Sequence, residues 1–332
     1  MSHFTMLVAG HDVEHQLAPF HEFECTGRND EFVQSIDETE YYRKEYEEHK
    51  AEYAEACAKH DAGEMTDAEF ADKTKYAFKG QTFAEYIKDY CGIAIADDEE
   101  DVSDVACPDY NGKFKYAYAL RKGEDDFQVI CRTNPNRKWD WYQEGGRWNG
   151  LLLMKEKMED GSDWFADSAK KGEIDFEEMW RRSREETITQ YRKVIAAFGH
   201  IPVIEHKWSD LVDEYWEKKT ITRDEADEIY EAQPDVQLWK ELSQKKEYKD
   251  LFGFFDNVDN YACTEEEYLE SKSIYAITFG FVKDRQWNEK AEMGWWGCTS
   301  NEKEPTSWND TFKAFIDSLD DDTLLTVVDC HI

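Results

Sequence analysis

The period of the apolar residues switches repeatedly along the chain, and that order constrains the fold more than any single motif. Phe4 to Gly10 is a short apolar run closed by glycine, which predicts a buried strand. Phe32 to Lys59 is rich in Glu, Lys, Ala and Tyr, with no Gly or Pro, and predicts a long, half-exposed helix. Thr66-x-x-Glu69 and Thr82-x-x-Glu85 each set a hydroxyl and a carboxylate where they satisfy free N–H groups at a helix start. They predict two short helices, the second ending near Cys91-Gly92. Beyond the acidic loop Ala96–Asp104 the pattern alternates. Lys113–Leu120 and Phe127–Arg132 flank the turn-rich Lys122–Asp125 and predict a β-hairpin. Trp139–Tyr142 and Arg147–Met154 predict a second hairpin around Gly145-Gly146.

Helical patterning returns over Asp175–Phe198, followed by a short strand expected at Pro202–Ile204. Further helices are expected at Ser209–Lys218, after Thr222-x-x-Glu225, at Asp235–Lys246 and after Thr264-x-x-Glu267. The end reads as strands at Ser273–Val282, Glu292–Trp296 and Leu324–Cys330, with a helix at Asp310–Leu319. Strands at both ends and in the middle, often as hairpins with helices inserted, give an α+β fold with antiparallel or mixed sheets. The expected division is a central sheet domain from 1–31, 105–208 and 273–332, an acidic helical insertion or arm at 32–104, and a helical subdomain at 209–272.

The 332 residues carry 75 Asp and Glu against 40 Lys and Arg, a formal charge of −35. Phosphate contact needs clustered cations, so this balance argues against direct nucleic-acid binding and against an anionic membrane surface. Residues 1–110 hold 28 acidic and 9 basic side chains, whereas 111–200 hold 16 and 17. The deficit therefore lies outside the middle. Its plain meaning is solvated helix faces; a sharper one is mimicry of a polyanion, and adaptation to high salt is a third. With 40% hydrophobic and 15% aromatic residues, the chain has material for a core. No apolar run reaches membrane-spanning length, and no basic segment precedes an apolar one at the start. Eight widely spaced cysteines without a C-x-x-C pair read as reduced thiols, and the expected compartment is the cytosol.

G-x-G-x-x-G, G-x-x-x-x-G-K-[ST] and G-x-S-x-G are all missing, which disfavours dinucleotide, P-loop and nucleophile-elbow chemistry. The densest feature is Asn134–Trp148, NPNRKWDWYQEGGRW. On a strand Trp139 and Trp141 would share one face, and Asp140 and Tyr142 the other. The expected ligand-binding residues are Arg137, Lys138, Trp139, Trp141, Arg147 and Trp148: indoles to stack a flat group, cations to neutralise phosphate or carboxylate. Gly145-Gly146 lets backbone N–H groups approach an anion. The competing reading makes the three tryptophans core anchors, pairs Arg147 with Asp140 or Glu144, and gives the glycines to the turn.

A second cluster, His11, Glu14, His15, His21, Glu22, Glu24 and Cys25, puts His11 and His15 at i, i+4, a spacing compatible with a metal. His331 and Cys330 could join it only if the terminal strands are neighbours. Ordinary surface histidines and a buried thiol are the simpler account. Met293-Gly294-Trp295-Trp296-Gly297, near Trp287 and Trp308, reads as core or a self-association surface. No catalytic residue, resident cofactor or metal site is assigned.

The opening Met1–Val8, the stretch Gln16–Gly27 (QLAPFHEFECTG) and the block Asn134–Trp148 resemble a family of phage- and prophage-encoded proteins. The resemblance carries over no functional residue. It implies a viral accessory setting, in which counter-defence proteins that bind and block are a common theme. The leading expectation is a non-catalytic, oligomeric protein that binds a host defence protein or complex stoichiometrically. The alternatives are a sponge for a phosphorylated nucleotide at the Trp/Arg segment and a hydrolase using His or carboxylate groups near His11–Cys25.

Overall fold

The computed structural model describes residues 2–22, 31–97, 116–248, 251–252, 256–272, 274–294 and 297–332. In chain order, strand β1 (His3–Ala9) leads to helix α1 (Val13–Leu17), then β2 (Gln34–Asp37), α2 (Thr39–Asp61), α3 (Asp67–Lys73) and α4 (Phe83–Glu85). Strands β3 (Ala94–Ala96), β4 (Ala117–Arg121), β5 (Phe127–Thr133), β6 (Trp141–Glu144), β7 (Leu152–Lys157), β8 (Asp163–Ala166) and β9 (Ser168–Lys170) precede α5 (Phe176–Phe198). Helices α6 (Trp208–Val212), α7 (Arg223–Glu231), α8 (Pro234–Ser243) and α9 (Glu265–Glu270) follow. The chain closes with β10 (Gly280–Lys283), β11 (Gln286–Glu289), β12 (Glu292–Met293), β13 (Thr299–Ser300), α10 (Pro305–Asp317) and β14 (Leu324–His331). The fold is α+β with mixed and antiparallel sheets.

The chain forms two compact units, one of residues 1–13 and 143–330, the other of 14–142 and 331–332. In the first, the main sheet runs β11-β10-β1-β14-β6, with β9 also on β14. β1 pairs with β10 in parallel, and β10 with β11 antiparallel, so the sheet is mixed. The β10–β11 turn uses Asp284 and Arg285, both at positive φ (51° and 59°), as a tight two-residue hairpin requires. Leu7, Ala9, Leu325, Val327 and Phe281 pack one sheet face against Phe312, Phe315 and Ile316 of α10 and Trp180 of α5. Phe281 stacks on Phe315 at 3.9 Å between centroids.

Helix α5 starts where the Asp175 side chain accepts the Glu178 N–H (3.1 Å) and stops at Gly199, whose φ of 80° only glycine adopts without cost. Its buried stripe serves two cores. Phe176 and Trp180 belong to the sheet core, and Tyr191, Val194 and Phe198 to a helical core with Val236, Leu242, Tyr261 and Tyr268. Polar groups inside the second core are matched: Tyr191 donates to the Cys263 carbonyl (2.6 Å) and Tyr230 to Asp259 (2.8 Å).

In the second unit the sheet runs β2-β5-β4-β3, and the hairpin expected from Lys113–Leu120 and Phe127–Arg132 is present as β4 and β5. The expected long helix is α2, but its first residues form β2 on β5 instead. Part of the acidic insertion expected at 32–104 shares a core with this hairpin: Tyr46, Phe83, Tyr86 and Ile87 pack on Ala119, Phe127 and Val129. Asp125 of the turn accepts the N–H groups of Phe83 (3.3 Å) and Ala84 (3.0 Å), tying turn to helix start. All four capping boxes form, at Thr66, Thr82, Thr222 and Thr264.

Other expectations differ in detail. Arg147–Met154 does not pair with Trp139–Tyr142: β7 pairs with β8, and β6 is an edge of the main sheet beside β14. Pro202–Ile204 is irregular, and the 273–282 strand is confined to its end, β10. Most of the 96–104 loop, the start of the 113–120 strand, and Trp295 and Trp296 lie outside the described residues. Among the described residues no helix is long and apolar enough to cross a membrane. Cys57, Cys91, Cys131, Cys263, Cys298 and Cys330 are free thiols.

Trp308 is wholly buried between Phe281 (5.9 Å) and Phe312 (6.0 Å), and its indole N–H has no hydrogen-bond partner among the described residues. Trp308→Phe removes an unsatisfied donor along with ring area, so it should cost less than about 1.5 kcal/mol. Trp308→Ala should cost about 3–5 kcal/mol. Urea unfolding measures both, and equal losses would contradict this account.

Candidate functional site

In the second unit, the segment ahead of β6 is fastened to residues 17–22 along its length. Asn134, fully buried, donates through Nδ2 to the carbonyls of Pro19 (2.7 Å) and His21 (3.0 Å), while its Oδ1 accepts the Asn136 N–H (2.9 Å). The Lys138 N–H donates to the Phe20 carbonyl (2.7 Å), and the Glu22 N–H to the Trp139 carbonyl (2.8 Å). Trp139 is only 7% exposed. Its indole N–H donates to the Leu17 carbonyl (3.1 Å), and its ring lies 4.3 Å from His21 and edge-on to Tyr142 at 5.2 Å.

A bend at Asp140 breaks the strand alternation, so Trp139 and Trp141 do not share a face. Trp141 is 43% exposed and stacks at 5.1 Å and 20° on His331. That imidazole is itself held: its Nδ1 lies 2.6 Å from the Asp140 carboxylate, and its backbone carbonyl accepts the Asp140 N–H (2.8 Å). His21 Nε2 lies 2.9 Å from the Asp140 carbonyl oxygen. The partly exposed indole thus rests on a braced support. Burial pushes the Glu22 carboxyl up, against the pull of Arg137, and Asp140 adds to the rise.

Arg137 is exposed, donates to Thr133 Oγ1 (3.0 Å), and lines an open depression with Asp37, Glu38 and Glu40. Those carboxylates oppose phosphate at this cation. Lys138 is half-buried.

Arg147 and Trp148 belong to the first unit. There Gly145 and Gly146 both take positive φ (66° and 53°) and lead into a short 3₁₀ turn over Gly146–Trp148. A Cβ on Gly145 would strike the Asp167 carboxylate, and one on Gly146 would overlap Asp329. Asp329, 2% exposed on β14, accepts the Arg147 N–H (3.1 Å) through Oδ2, and its Oδ1 lies 2.8 Å from His3 Nδ1. Asp167 accepts the Gly150 N–H (2.5 Å). The anions approached by the glycine backbone are therefore the protein's own carboxylates. The Arg147 side chain is exposed, and among the described residues it has no ion pair. Trp148 packs on the sheet core.

His11 precedes α1, so it and His15 do not share a helix face. Glu24 and Cys25 lie outside the described residues, and among the described ones no three His, Cys, Asp or Glu groups gather to hold a metal. Sequence reading missed the bracing roles of Asp140, His331, Asp167 and Asp329. The one available signal was the pair of terminal strands, since β1 and β14 are neighbours.

Gly146→Ala should destabilise the protein by more than about 2 kcal/mol, combining left-handed strain with the overlap at Asp329. Glu22→Gln should raise the melting temperature at neutral pH, because a raised carboxyl loses stability as pH climbs through its folded pKa. The gain should vanish below the ordinary carboxylate range, where both states are protonated. A lowered melting temperature at neutral pH would contradict the Glu22 assignment.

The chain matches no protein-family model, no curated protein and no solved structure, which leaves these contacts as the ground for a functional reading.

Proposed function

We propose that the protein is a phage-encoded accessory protein that acts in counter-defence, in the host cytosol, by stoichiometric binding of a host defence protein or complex. The observation that carries this reading is Trp141. An exposed tryptophan normally loses rotamer freedom on binding, but this one is already stacked on His331, which Asp140 holds. A pre-organised aromatic anchor is the type of residue on which interface energy concentrates. Self-association into an oligomer is part of the proposal.

The nucleotide-sponge alternative has less support. Trp139 offers no open face, and Arg137 stands among Asp37, Glu38 and Glu40. A hydrolase would need a reactive group beside a base; His331 and His21 are engaged in bracing the tryptophan segment instead.

Affinity capture from host lysate, with mass spectrometry of retained proteins and extracted small molecules, tests the proposal. The wild-type chain should retain one host complex, and Trp141→Ala should weaken retention by about 2 kcal/mol or more, roughly thirtyfold. The Ala variant should keep its melting temperature within a few degrees, because the ring is half in solvent. Unchanged retention by Trp141→Ala, or release of an intact nucleotide in place of a protein, would overturn it.

A further inference from the structure

The first unit holds a cleft of about 440 Å³ lined by the amino-terminal half of α5, by Leu269, Glu270, Ile274 and Tyr275, and by α10. Its floor is apolar and aromatic. Trp180 and Tyr275 meet edge-on at 5.1 Å, with Leu269 and Ile274 beside them. The Trp180 N–H is satisfied by the Tyr275 carbonyl (3.1 Å), and Asn309 ties the wall by accepting the Tyr275 N–H (2.9 Å) and donating to the Lys272 carbonyl (2.7 Å). The walls are therefore fixed in place.

The rim carries charge of both signs, but the signs are not equally committed. Arg181 is bound to Glu178 (2.6 Å) and Glu185 (2.5 Å), and Lys313 to Asp317 (2.8 Å). Glu177, Glu270 and Asp310 are exposed, and among the described residues none has an ion-pair partner within 4.0 Å; the sole uncommitted cation is Arg184. Lys313 shows what the aromatic wall accepts, for its ammonium lies 5.2 Å over the Trp180 ring.

The geometry points to this cleft as the seat for a basic segment of the protein partner, with an arginine side chain laid along the floor. Its aliphatic stem would cover Leu269 and Ile274, its guanidinium would face Tyr275, and Glu270 and Asp310 would accept from it. This deepens the proposed function, on which it rests, by giving the partner's chemistry: a basic surface that a chain of charge −35 also draws in at long range.

The test is titration of the full chain with a short unstructured arginine-rich peptide at about 0.15 M salt, where the Debye length of about 8 Å suppresses diffuse attraction. The triple variant Glu177→Gln, Glu270→Gln, Asp310→Asn should bind about tenfold more weakly than wild type. A control removing as many charges from α2 (Glu47→Gln, Glu48→Gln, Glu52→Gln) should stay within about twofold. All six positions are exposed, so folding is preserved, and circular dichroism checks it. Equal losses in the two triples would overturn the inference, as would a small polyamine displacing the peptide at equal charge concentration. Host capture separates the two readings. If capture persists while the triples are equal, the cleft assignment falls alone; if wild type captures nothing while the triples differ, the proposed function falls alone.

Discussion

A buried carboxylate sets the most demanding constraint in the molecule. Asp329 sits on a strand whose neighbours Leu325, Val327, Val328 and Cys330 are wholly enclosed, so its carboxyl oxygens must find partners inside the fold. The match comes from His3 on β1 and from the Arg147 N–H at the end of the glycine turn. One acid thereby registers the first strand, the last strand and the Gly-Gly turn of the first unit. The glycines follow from it: only a residue without Cβ lets that backbone come so near to Asp329 and Asp167.

How much of this the sequence disclosed depended on range. Local chemistry was legible. Each Thr-x-x-Glu spacing became a capping box, FTMLVAG became a buried strand, and the Lys122–Asp125 turn joined two paired strands. Gln34–Asp37 was absorbed into the expected helix because nothing in 32–59 breaks a helix; pairing with β5, nearly a hundred residues on, decides it. The Gly145-Gly146 hairpin failed for a similar reason. Its first strand finds a partner in β14, far along the chain, and no local pattern encodes that choice.

The candidate site shows the same split. The tryptophan-rich block was conspicuous, but its inner and outer members were not separable, because a bend at Asp140 and a ring at the far terminus decide which indole faces out. His331 gains its place from a contact with Asp140 across 191 positions. Many polar groups of the segment are spent on bracing, while Arg137, Arg147 and part of the Trp141 ring stay exposed on a strongly acidic chain. The proposed binding role rests on that combination.

The most direct measurement is native mass spectrometry of the purified chain mixed with its captured host complex, followed by a turnover assay on the extracted metabolite pool. A discrete assembly of fixed ratio, with every metabolite unchanged, is the result this account predicts. Catalytic conversion of any metabolite well beyond one equivalent per chain, with no such assembly formed, would contradict it.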